Sequence, residues 1–562
     1  MPPTCCGCGL MTSIRTCPRS TSSPSPRRRS THLDLAPRQD GGEAVASAWR
    51  VARMSCGRCG GSFAYLVCEV ICGARRTILL EDSMTWPRSV LLAMPLMVTL
   101  GAYAPAASAS SSGALTPPLT WSACGGKISA ELQCAKLAVP IDWSKPDGKT
   151  ITLTVGRAPA TGAAAGTVLF SPGGPGGAGV QELSRALPHF AGLRTRMDVV
   201  TWNPRGGVSG EHIPLESCAA GPVFATPDSR REYDQALKAN AAGIAPCRDA
   251  VPELFANLDS ATQARDMDAI RAALGEEKIS FFGNSYGGVL GASYARLFPQ
   301  RLRAMAVDSV PDHVDPLAKS EQLQYKGLEA GFQRFVRWCA GSSDCALRGT
   351  GVEKTWQAVV RRAERRPLPG AAAAGERRYD GDDLKFLAYG LVDSTAEWPA
   401  LAKAITGAAK GDASGFDPQG RGLPPRVTAM LAVNCADGFR YDGYHAYRAA
   451  VRRSVKVSPN FSGMRENAWL ACSPWAAKAA NPPAPLPARK LPPLLGIGPV
   501  YEYPSVRAIT DQVPGSVTVK YDGIGHGRYL NAGDPCVIGH VDRYLIDGKV
   551  PAPGTTCPAR PA

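Results

Sequence analysis

The chain has 562 residues, of which 44% are hydrophobic and 20% are charged, and this composition excludes a fibrous protein and a wholly disordered one. Its net charge of +15 is scattered, with no basic block beyond Arg27–Arg29 and no aromatic residues interleaved with basic ones. We therefore expect a solvated surface and no nucleic-acid partner.

Residues 1–83 differ in composition from the rest of the chain. They hold eight of the 18 cysteines and no lysine. The group Cys56, Cys59, Cys68 and Cys72 contains one C-x-x-C pair, without a second pair or a nearby histidine, which argues against a zinc site. We interpret residues 1–83 as a disordered extension that precedes the true start of the protein, and we expect no metal in it.

A secretory signal peptide is predicted for residues 84–109. The segment begins at Met84, carries Arg88 before an apolar run, and ends in the small residues of Ala107-Ser108-Ala109, which fit a cleavage site. The apolar run is short and interrupted by Pro95, which is not typical of a transmembrane helix. We expect a secreted protein with no stable membrane insertion after signal cleavage.

Ten cysteines follow the predicted cleavage site, and they fall into close sequential pairs. An even count in an exported chain indicates disulfide bonds. Proximity along the chain predicts the pairs 124–134, 218–247, 339–345, 435–472 and 536–557.

Strand and helix patterns alternate between residues 149 and 310. Apolar strand patterns occur at 149–160, 166–174, 197–207, 278–285 and 302–310, and helical spacing occurs at 261–275 and 286–299. This alternation predicts an α/β fold with a mainly parallel central sheet and helices on both faces. We assign residues 110–314 to the first part of this core.

The pattern becomes mainly helical over residues 315–480. Amphipathic stretches at 320–340 and 353–365 are separated by predicted loops at 366–381 and 411–425. Strand patterns then return at 490–499 and 515–523. We therefore predict that 315–480 is a helical cap inserted into the core, and that 481–562 is the C-terminal part of the core.

A nucleophilic serine is predicted at Ser285. The segment Gly283-Asn284-Ser285-Tyr286-Gly287 fits the G-x-S-x-G pattern, in which small residues let a strand turn sharply into a helix and project the serine outward. An apolar strand pattern precedes this segment and a helical pattern follows it, as this geometry requires. An ordinary strand-to-helix turn is the alternative interpretation.

A serine hydroxyl needs a general base, and His526 is our candidate. It lies in "YDGIGHGRY", after a late strand pattern and between glycines, in the order Ser, acid, His that this elbow predicts. His445 and His540 are weaker candidates because both lie in helical patterns.

The glycine-rich segment "SPGGPGGAG" (171–179) predicts an oxyanion hole. Glycines allow backbone N–H groups to point at a developing negative charge. We assign the donors as the backbone N–H groups of Gly174, or a neighbour, and of Tyr286.

Together these motifs resemble the secreted tripeptidyl aminopeptidase-like α/β-hydrolases of actinobacteria, which are related to prolyl iminopeptidases. The resemblance covers roughly residues 120–560. It implies Ser285 as nucleophile, His526 as base, the 173–176 glycines at the oxyanion hole, a helical cap, and release of short peptides from free N-termini. The matching segments are "LFSPGGPGGAG", "DVVTWNPRGG", "FFGNSYGGVLGASYARLFP", "AVNCADGF", Cys472-Ser-Pro-Trp475 and "YDGIGHG".

The sequence departs from this family at the acid. Family members carry G-x-x-D-P-x-T-P, but here the segment reads "GIGPVYEYPSV" (496–506), which places Gly498 at the position of the aspartate. Three interpretations remain open: Glu502 orients His526, Asp312 does so from the neighbouring strand, or the triad is degraded. Asp308 is interpreted as a structural carboxylate. Asn203, where the family usually has aspartate, is expected to affect only loop structure.

The sequence therefore predicts an exported serine hydrolase, most closely an aminopeptidase of the tripeptidyl type. The alternatives are a carboxylesterase or lipase-like hydrolase, and a binding protein with an impaired triad. We expect a monomer that acts on a peptide or ester substrate and needs no cofactor. Carboxylates that could bind a substrate ammonium group are Glu321, Glu329, Asp393 and Asp437.

Overall fold

The computed structural model describes residues 118–207, 226–372, 375–418, 429–473 and 479–560. The predicted extension, the signal peptide and Cys218 lie outside these residues. Within the described ranges, no helix is both long and apolar enough to cross a membrane.

In the described part of the chain, ten strands form one sheet in the order β1-β2-β3-β5-β4-β6-β7-β10-β11-β12, and β8 and β9 pair separately. Pairing is antiparallel from β1 to β5 and parallel from β5 through β4 to β12. The strands are β1 Ser122–Ala123, β2 Gln133–Pro140, β3 Thr150–Ala158, β4 Thr167–Ser171, β5 Asp198–Asn203, β6 Ile279–Asn284, β7 Leu302–Asp308, β8 Leu368–Ala372, β9 Gly375–Tyr379, β10 Leu495–Pro499, β11 Val517–Tyr521 and β12 Thr556–Cys557.

Helices cover both faces of the sheet, as predicted. Phe281 and Phe282 are consecutive in β6 and therefore face opposite sides, where they join two separate apolar clusters. The helices are α1 Gly179–Ala186, α2 Arg230–Ala250, α3 Pro252–Phe255, α4 Ser260–Ala273, α5 Gly287–Leu297, α6 Leu317–Gly341, α7 Val352–Arg365, α8 Gly381–Val392, α9 Trp398–Lys410, α10 Ala429–Ala436, α11 Tyr444–Val457, α12 Met464–Leu470, α13 Tyr503–Thr510 and α14 Pro535–Asp547. Helices α4, α5 and α13 pack on one face, and α1 and α14 pack on the other.

Helices α6 to α12 lie between β7 and β10 and form the cap. The cap has its own apolar core, in which the buried Trp356 packs near Phe332 and Phe461. Because this core is separate from the two clusters on the sheet, the cap has its own internal packing in addition to its contacts with the sheet domain.

One predicted loop contains a hairpin instead. Within 366–381, β8 and β9 pair antiparallel with Leu368 opposite Tyr379. Both of these side chains are buried in the cap core. Tertiary packing of the two apolar ends thus selects strands where the Ala- and Gly-rich sequence between them predicts a loop.

Four of the predicted disulfide bonds are confirmed: 124–134, 339–345, 435–472 and 536–557. The fifth predicted pair includes Cys218, which lies outside the described residues. Asn203 has a structural contact, since its side-chain oxygen accepts a hydrogen bond of 3.1 Å from the Val180 amide at the start of α1.

Candidate active site

Ser285 lies at a strained turn between β6 and α5. Its φ of 55° is in the left-handed region, which is costly for a residue with a Cβ atom. The turn is held by the Ser285 amide, which donates to the Asp308 carbonyl at 3.0 Å, and by the Gly288 amide, which donates to the Ser285 carbonyl at 3.0 Å. Strain maintained by surrounding hydrogen bonds is typical of a nucleophile elbow.

The glycines on either side of Ser285 are required by close backbone contacts. A Cβ atom on Gly283 would lie 2.6 Å from the Gly287 carbonyl oxygen, and one on Gly287 would lie 2.9 Å from the Ser171 carbonyl oxygen. Both distances are shorter than the usual contact distance between a carbon and an oxygen atom. The strand and the helix can approach this closely only because both positions lack a side chain.

We expect Gly283→Ala to destabilise the protein by about 1–3 kcal/mol, because the added methyl group overpacks a backbone contact. The matched control is Gly539→Ala in α14, where a Cβ atom would meet nothing within 4 Å. Removing a helical glycine there should leave the stability unchanged or raise it by up to ~1 kcal/mol. Urea unfolding of the two variants measures the difference, and equal midpoints would contradict the steric argument.

The glycine-rich loop after β4 lies directly against the elbow. Gly173 and Gly174 have φ values of 97° and 114°, and a Cβ atom on Gly173 would lie 3.0 Å from the Tyr286 amide nitrogen. Gly174 and Tyr286 both line a cavity with Ser285. The two predicted oxyanion donors therefore border the same space as the predicted nucleophile.

The phenol of Tyr286 is held by two buried side chains. It donates to the buried Asp437 carboxylate, and it accepts a hydrogen bond of 3.2 Å from the Ser260 hydroxyl. Burial, together with the charge of Asp437, raises the pKa of Tyr286 well above its usual value. The phenol thus remains neutral, and its hydroxyl is already bonded to Asp437 and Ser260.

His526 and Glu502 form a hydrogen-bonded pair. Nδ1 of His526 lies 2.6 Å from Oε1 of Glu502. Although burial of the ring opposes its charged form, the charge and the hydrogen bond of Glu502 raise the pKa of His526 to about 9. A carboxylate on Nδ1 fixes the tautomer that leaves Nε2 free to accept a proton.

The backbone that follows His526 is fixed by β7. The Ser309 hydroxyl accepts a hydrogen bond of 2.9 Å from the Gly527 amide and donates one of 2.8 Å to Asp308 Oδ1. Asp308 Oδ2 accepts from the Tyr529 amide at 2.8 Å. Ser309 has a φ of 58°, so this anchor, like the elbow, maintains a strained backbone.

The position of Gly498 leaves no room for an acid. A Cβ atom there would lie 2.6 Å from the Cα atom of Tyr503. Asp312, the other sequence candidate, accepts hydrogen bonds from the Val314 and Asp315 amides through one oxygen. The structure thus brings Glu502 to His526, and it places Asp312 in a local turn.

Ser285, Glu502 and His526 line a cavity of about 410 Å³ between the sheet and the cap. Ser285 follows β6, Glu502 follows β10 and His526 follows β11, so all three lie at the carboxyl ends of parallel strands, where ligands bind in open α/β sheets. Apolar and aromatic side chains form much of the wall: Val310, Pro311, Phe386, Tyr389, Met430, Leu431, Phe439, Met464, Trp469 and Tyr501.

Comparison with known proteins finds two family matches and several similar relatives. Residues 166–398 match the family described as "alpha/beta hydrolase fold", and residues 458–557 match the family described as "TAP-like protein". The serine protease Hip1 of Mycobacterium tuberculosis is 28% identical over 484 residues, which are 79% of this chain and 91% of that protein.

Two further relatives carry names of different activities. A tripeptidyl aminopeptidase of Streptomyces lividans is 27% identical over 496 residues, 81% of this chain and 89% of that protein. A carboxylesterase B of Mycobacterium tuberculosis is 27% identical over 484 residues, 79% of this chain and 90% of that protein. Over both matched segments the chain resembles TAP-like α/β-hydrolases. It is an enzyme of the serine hydrolase class.

The four carboxylates suggested for binding a substrate ammonium group do not line the cavity of this enzyme. Glu321 accepts a hydrogen bond from Tyr441, and Glu329 accepts bonds from Ser458 and Asn460. Asp437 bonds Ser260 and Tyr286, and Asp393 bonds backbone amides beside His526.

Besides Glu502, three carboxylates line the cavity, at the start of α8: Asp380, Asp382 and Asp383. Asp380 caps this helix by accepting from the amides of the other two. Asp382 lies 3.1 Å from the Lys385 ammonium group and accepts from Thr226. A run of acidic residues before a helical pattern is the sequence signal that could have located them.

One cluster of metal-ligand types occurs among the described residues of the enzyme, formed by Cys536, His540 and Cys557. The two cysteines form a disulfide bond, so their sulfur atoms are not thiolate ligands. His445 and His540 lie in α11 and α14, and neither lines the cavity.

Proposed function

We propose that this enzyme is an exported serine peptidase that releases short peptides from the free N-terminus of its substrates. The observation that carries this proposal is the 2.6 Å pair of His526 and Glu502, which lines one cavity of about 410 Å³ together with Ser285. The relatives named serine protease and tripeptidyl aminopeptidase support the peptidase reaction. The disulfide bonds support export, since such bonds persist in oxidising surroundings.

The proposed reaction proceeds through an acyl-enzyme. Ser285 Oγ attacks the scissile carbonyl carbon while Nε2 of His526 takes the hydroxyl proton. The backbone amides of Gly174 and Tyr286 stabilise the oxyanion that forms. The carbon–nitrogen bond then breaks as His526 gives its proton to the leaving amine. Water, activated by the same imidazole, hydrolyses the ester and restores Ser285.

Glu502 acts in this reaction by holding the imidazole and stabilising its charged form. Since Glu502 lies four residues beyond Gly498, its longer side chain replaces the aspartate that family members carry earlier in the segment. A hydrogen-bonded acid argues against an impaired triad, and therefore against a binding protein without activity.

Ester hydrolysis is the second candidate function. The cavity wall is largely apolar, and the cavity-lining Asp380 and Asp382 already have hydrogen-bond or ion-pair partners. A relative of similar identity is named carboxylesterase B. These observations favour a substrate whose acyl part is apolar, which an ester can supply as well as a peptide.

A matched substrate series tests the proposal. We expect a tripeptidyl p-nitroanilide with a free N-terminus to be hydrolysed with a kcat/KM about 10- to 100-fold above that of its N-acetyl form, the size of a lost charge-assisted hydrogen bond. Short-chain p-nitrophenyl esters provide the comparison. Faster turnover of the acetylated peptide than of the free one, or hydrolysis of the esters but of neither peptide, would favour the esterase and contradict the aminopeptidase.

A further inference from the structure

The residue that ends α8 of the cap contacts the backbone of the catalytic base. Asp393 follows the last helical residue of α8, and its two oxygens accept hydrogen bonds from neighbouring amides of the His526 loop. Oδ1 lies 3.2 Å from the Gly525 nitrogen, and Oδ2 lies 3.0 Å from the His526 nitrogen. One carboxylate of the cap thus binds the peptide unit from which the imidazole projects.

The His526 loop is therefore held from two sides. Ser309 and Asp308 of the sheet domain bind the amides of Gly527 and Tyr529, whereas Asp393 of the cap binds the two amides before them. Because the side chain of His526 leaves the backbone between these two anchors, both of them fix the direction of the ring. Neither anchor touches the ring nitrogens, so each acts through the backbone.

The other end of the contact is firmly fixed in the cap. The Asp393 amide donates to the Tyr389 carbonyl at 3.3 Å, and the indole of Trp398 donates to the Val392 carbonyl at 3.0 Å. Trp398 packs in the cap core. A shift of α8 relative to the sheet would therefore move the carboxylate and, with it, the His526 peptide.

The same helix also reaches the acid and the substrate cavity. The hydroxyl of Tyr389 is hydrogen-bonded to that of Tyr501, which is the residue next to Glu502. Phe386 and Tyr389 line the cavity. Helix α8 thus contacts the substrate space, the neighbour of the acid and the backbone of the base.

We propose that Asp393 is a positioning residue of the active site, which holds the His526 backbone so that the imidazole meets both Glu502 and Ser285. The complete base is thus assembled only when the cap is seated on the sheet domain. This inference rests on the roles proposed above for Ser285 and His526, and it adds a cap residue to the machinery that the motifs place in the sheet domain.

The negative charge of Asp393 supports the same role as its hydrogen bonds. Groups that face the His526–Glu502 pair are Asp393, Asp308, Tyr389 and Tyr501. Burial, followed by the charge of Glu502, raises the pKa of Asp393 to about 7. When Asp393 is ionised, its negative charge favours the imidazolium form of His526. Replacing it by a neutral residue should therefore lower the pKa of His526.

The test compares Asp393→Asn with the control Asp412→Asn. Asp412 is an exposed cap residue whose carboxylate binds the Ser414 amide and hydroxyl, away from the His526 loop. The asparagine at 393 keeps the shape but has one acceptor oxygen for two amides. We expect about a 10- to 100-fold lower rate of Ser285 acylation by a fluorophosphonate for Asp393→Asn, and less than a twofold change for Asp412→Asn.

Three readouts separate positioning from a general structural role. For Asp393→Asn we expect kcat to fall with little change in KM, the pH at half-maximal acylation to move down, and thermal unfolding to match that of Asp412→Asn. Asp393→Glu, which retains the charge and both oxygens, should recover part of the rate. A wild-type acylation rate in Asp393→Asn would overturn the proposal. A loss of rate in that variant with an unchanged pH profile would overturn it as well.

The proposed peptidase function is tested separately. Fluorophosphonate acylation needs the base and the nucleophile but no peptide recognition. An enzyme that labels but does not cleave peptides would contradict the peptidase and leave the Asp393 test valid. Absence of labelling in the wild type would contradict the catalytic roles of Ser285 and His526, and the inference about Asp393 with them.

Discussion

Ser285→Ala is expected to lower kcat by about 10⁶-fold and to abolish fluorophosphonate labelling, because no other atom can form the acyl-enzyme. The residual rate would come from the oxyanion donors and substrate binding alone. Turnover of the best substrate from the peptide and ester series, together with gel detection of the labelled protein, measures both effects.

The control for this change is Ser280→Ala, in the same strand as the elbow. Ser280 is fully buried, and its hydroxyl oxygen has no hydrogen-bond partner among the described residues. Its removal should leave labelling and kcat within about twofold of the wild type. Retained labelling of Ser285→Ala, or equal losses in the two variants, would contradict the assignment of the nucleophile.

Glu502→Gln is expected to lower kcat by about 10⁴-fold, because an amide at this position no longer fixes the productive tautomer of His526. The wild-type rate should rise with pH towards about 9, since the base must be neutral and its pKa is raised to that value. In the variant this inflection should move to lower pH, because the carboxylate charge is lost. Profiles of kcat/KM from pH 5 to 10 measure both the rate and the shift.

The matched variant for Glu502→Gln is Asp312→Asn. Because the Asp312 carboxylate binds two amides of its own turn, this change should alter stability more than the rate of acylation. Thermal unfolding and fluorophosphonate labelling separate the two effects. A loss of acylation in Asp312→Asn as large as in Glu502→Gln would show that the acid has been assigned to the wrong residue.

The pH dependence of stability has the opposite sign to that of activity. A histidine whose pKa is raised by folding stabilises the native state fully below its unfolded pKa of about 6.5, and this contribution is lost as the pH rises through the folded value. The enzyme should therefore lose the contribution of the His526–Glu502 pair over the pH range in which its base becomes active.

The sequence was sufficient for features that local patterns encode. Strand and helix periodicity predicted the parallel sheet and its helices, and the glycines around Ser285 predicted a turn that only small residues permit. The pairing of neighbouring cysteines was predicted because close positions in a chain are readily brought together. In each case the physical constraint acts on residues that are near one another in sequence.

Contacts between distant segments were not predictable in the same way. Glu502 and Asp312 follow neighbouring strands of the sheet, so both were candidates, and only the closed space at Gly498 and the path of the loop distinguish them. Asp393 contacts the His526 loop across more than 130 residues of sequence, from the end of a helix in the cap. No local pattern marks such a contact, so the sequence alone leaves Asp393 among the carboxylates that could bind a substrate ammonium group.

The disulfide bond between Cys435 and Cys472 ties together two segments that form the wall of the active-site cavity. It joins α10, which supplies Leu431 and Asn434 to the cavity, to the end of α12, which supplies Trp469. Closing this loop contributes roughly 4 kcal/mol by the chain-entropy relation. In a reducing compartment the two walls would be untied, so an enzyme exported as proposed above would gain this tie only after it leaves that compartment.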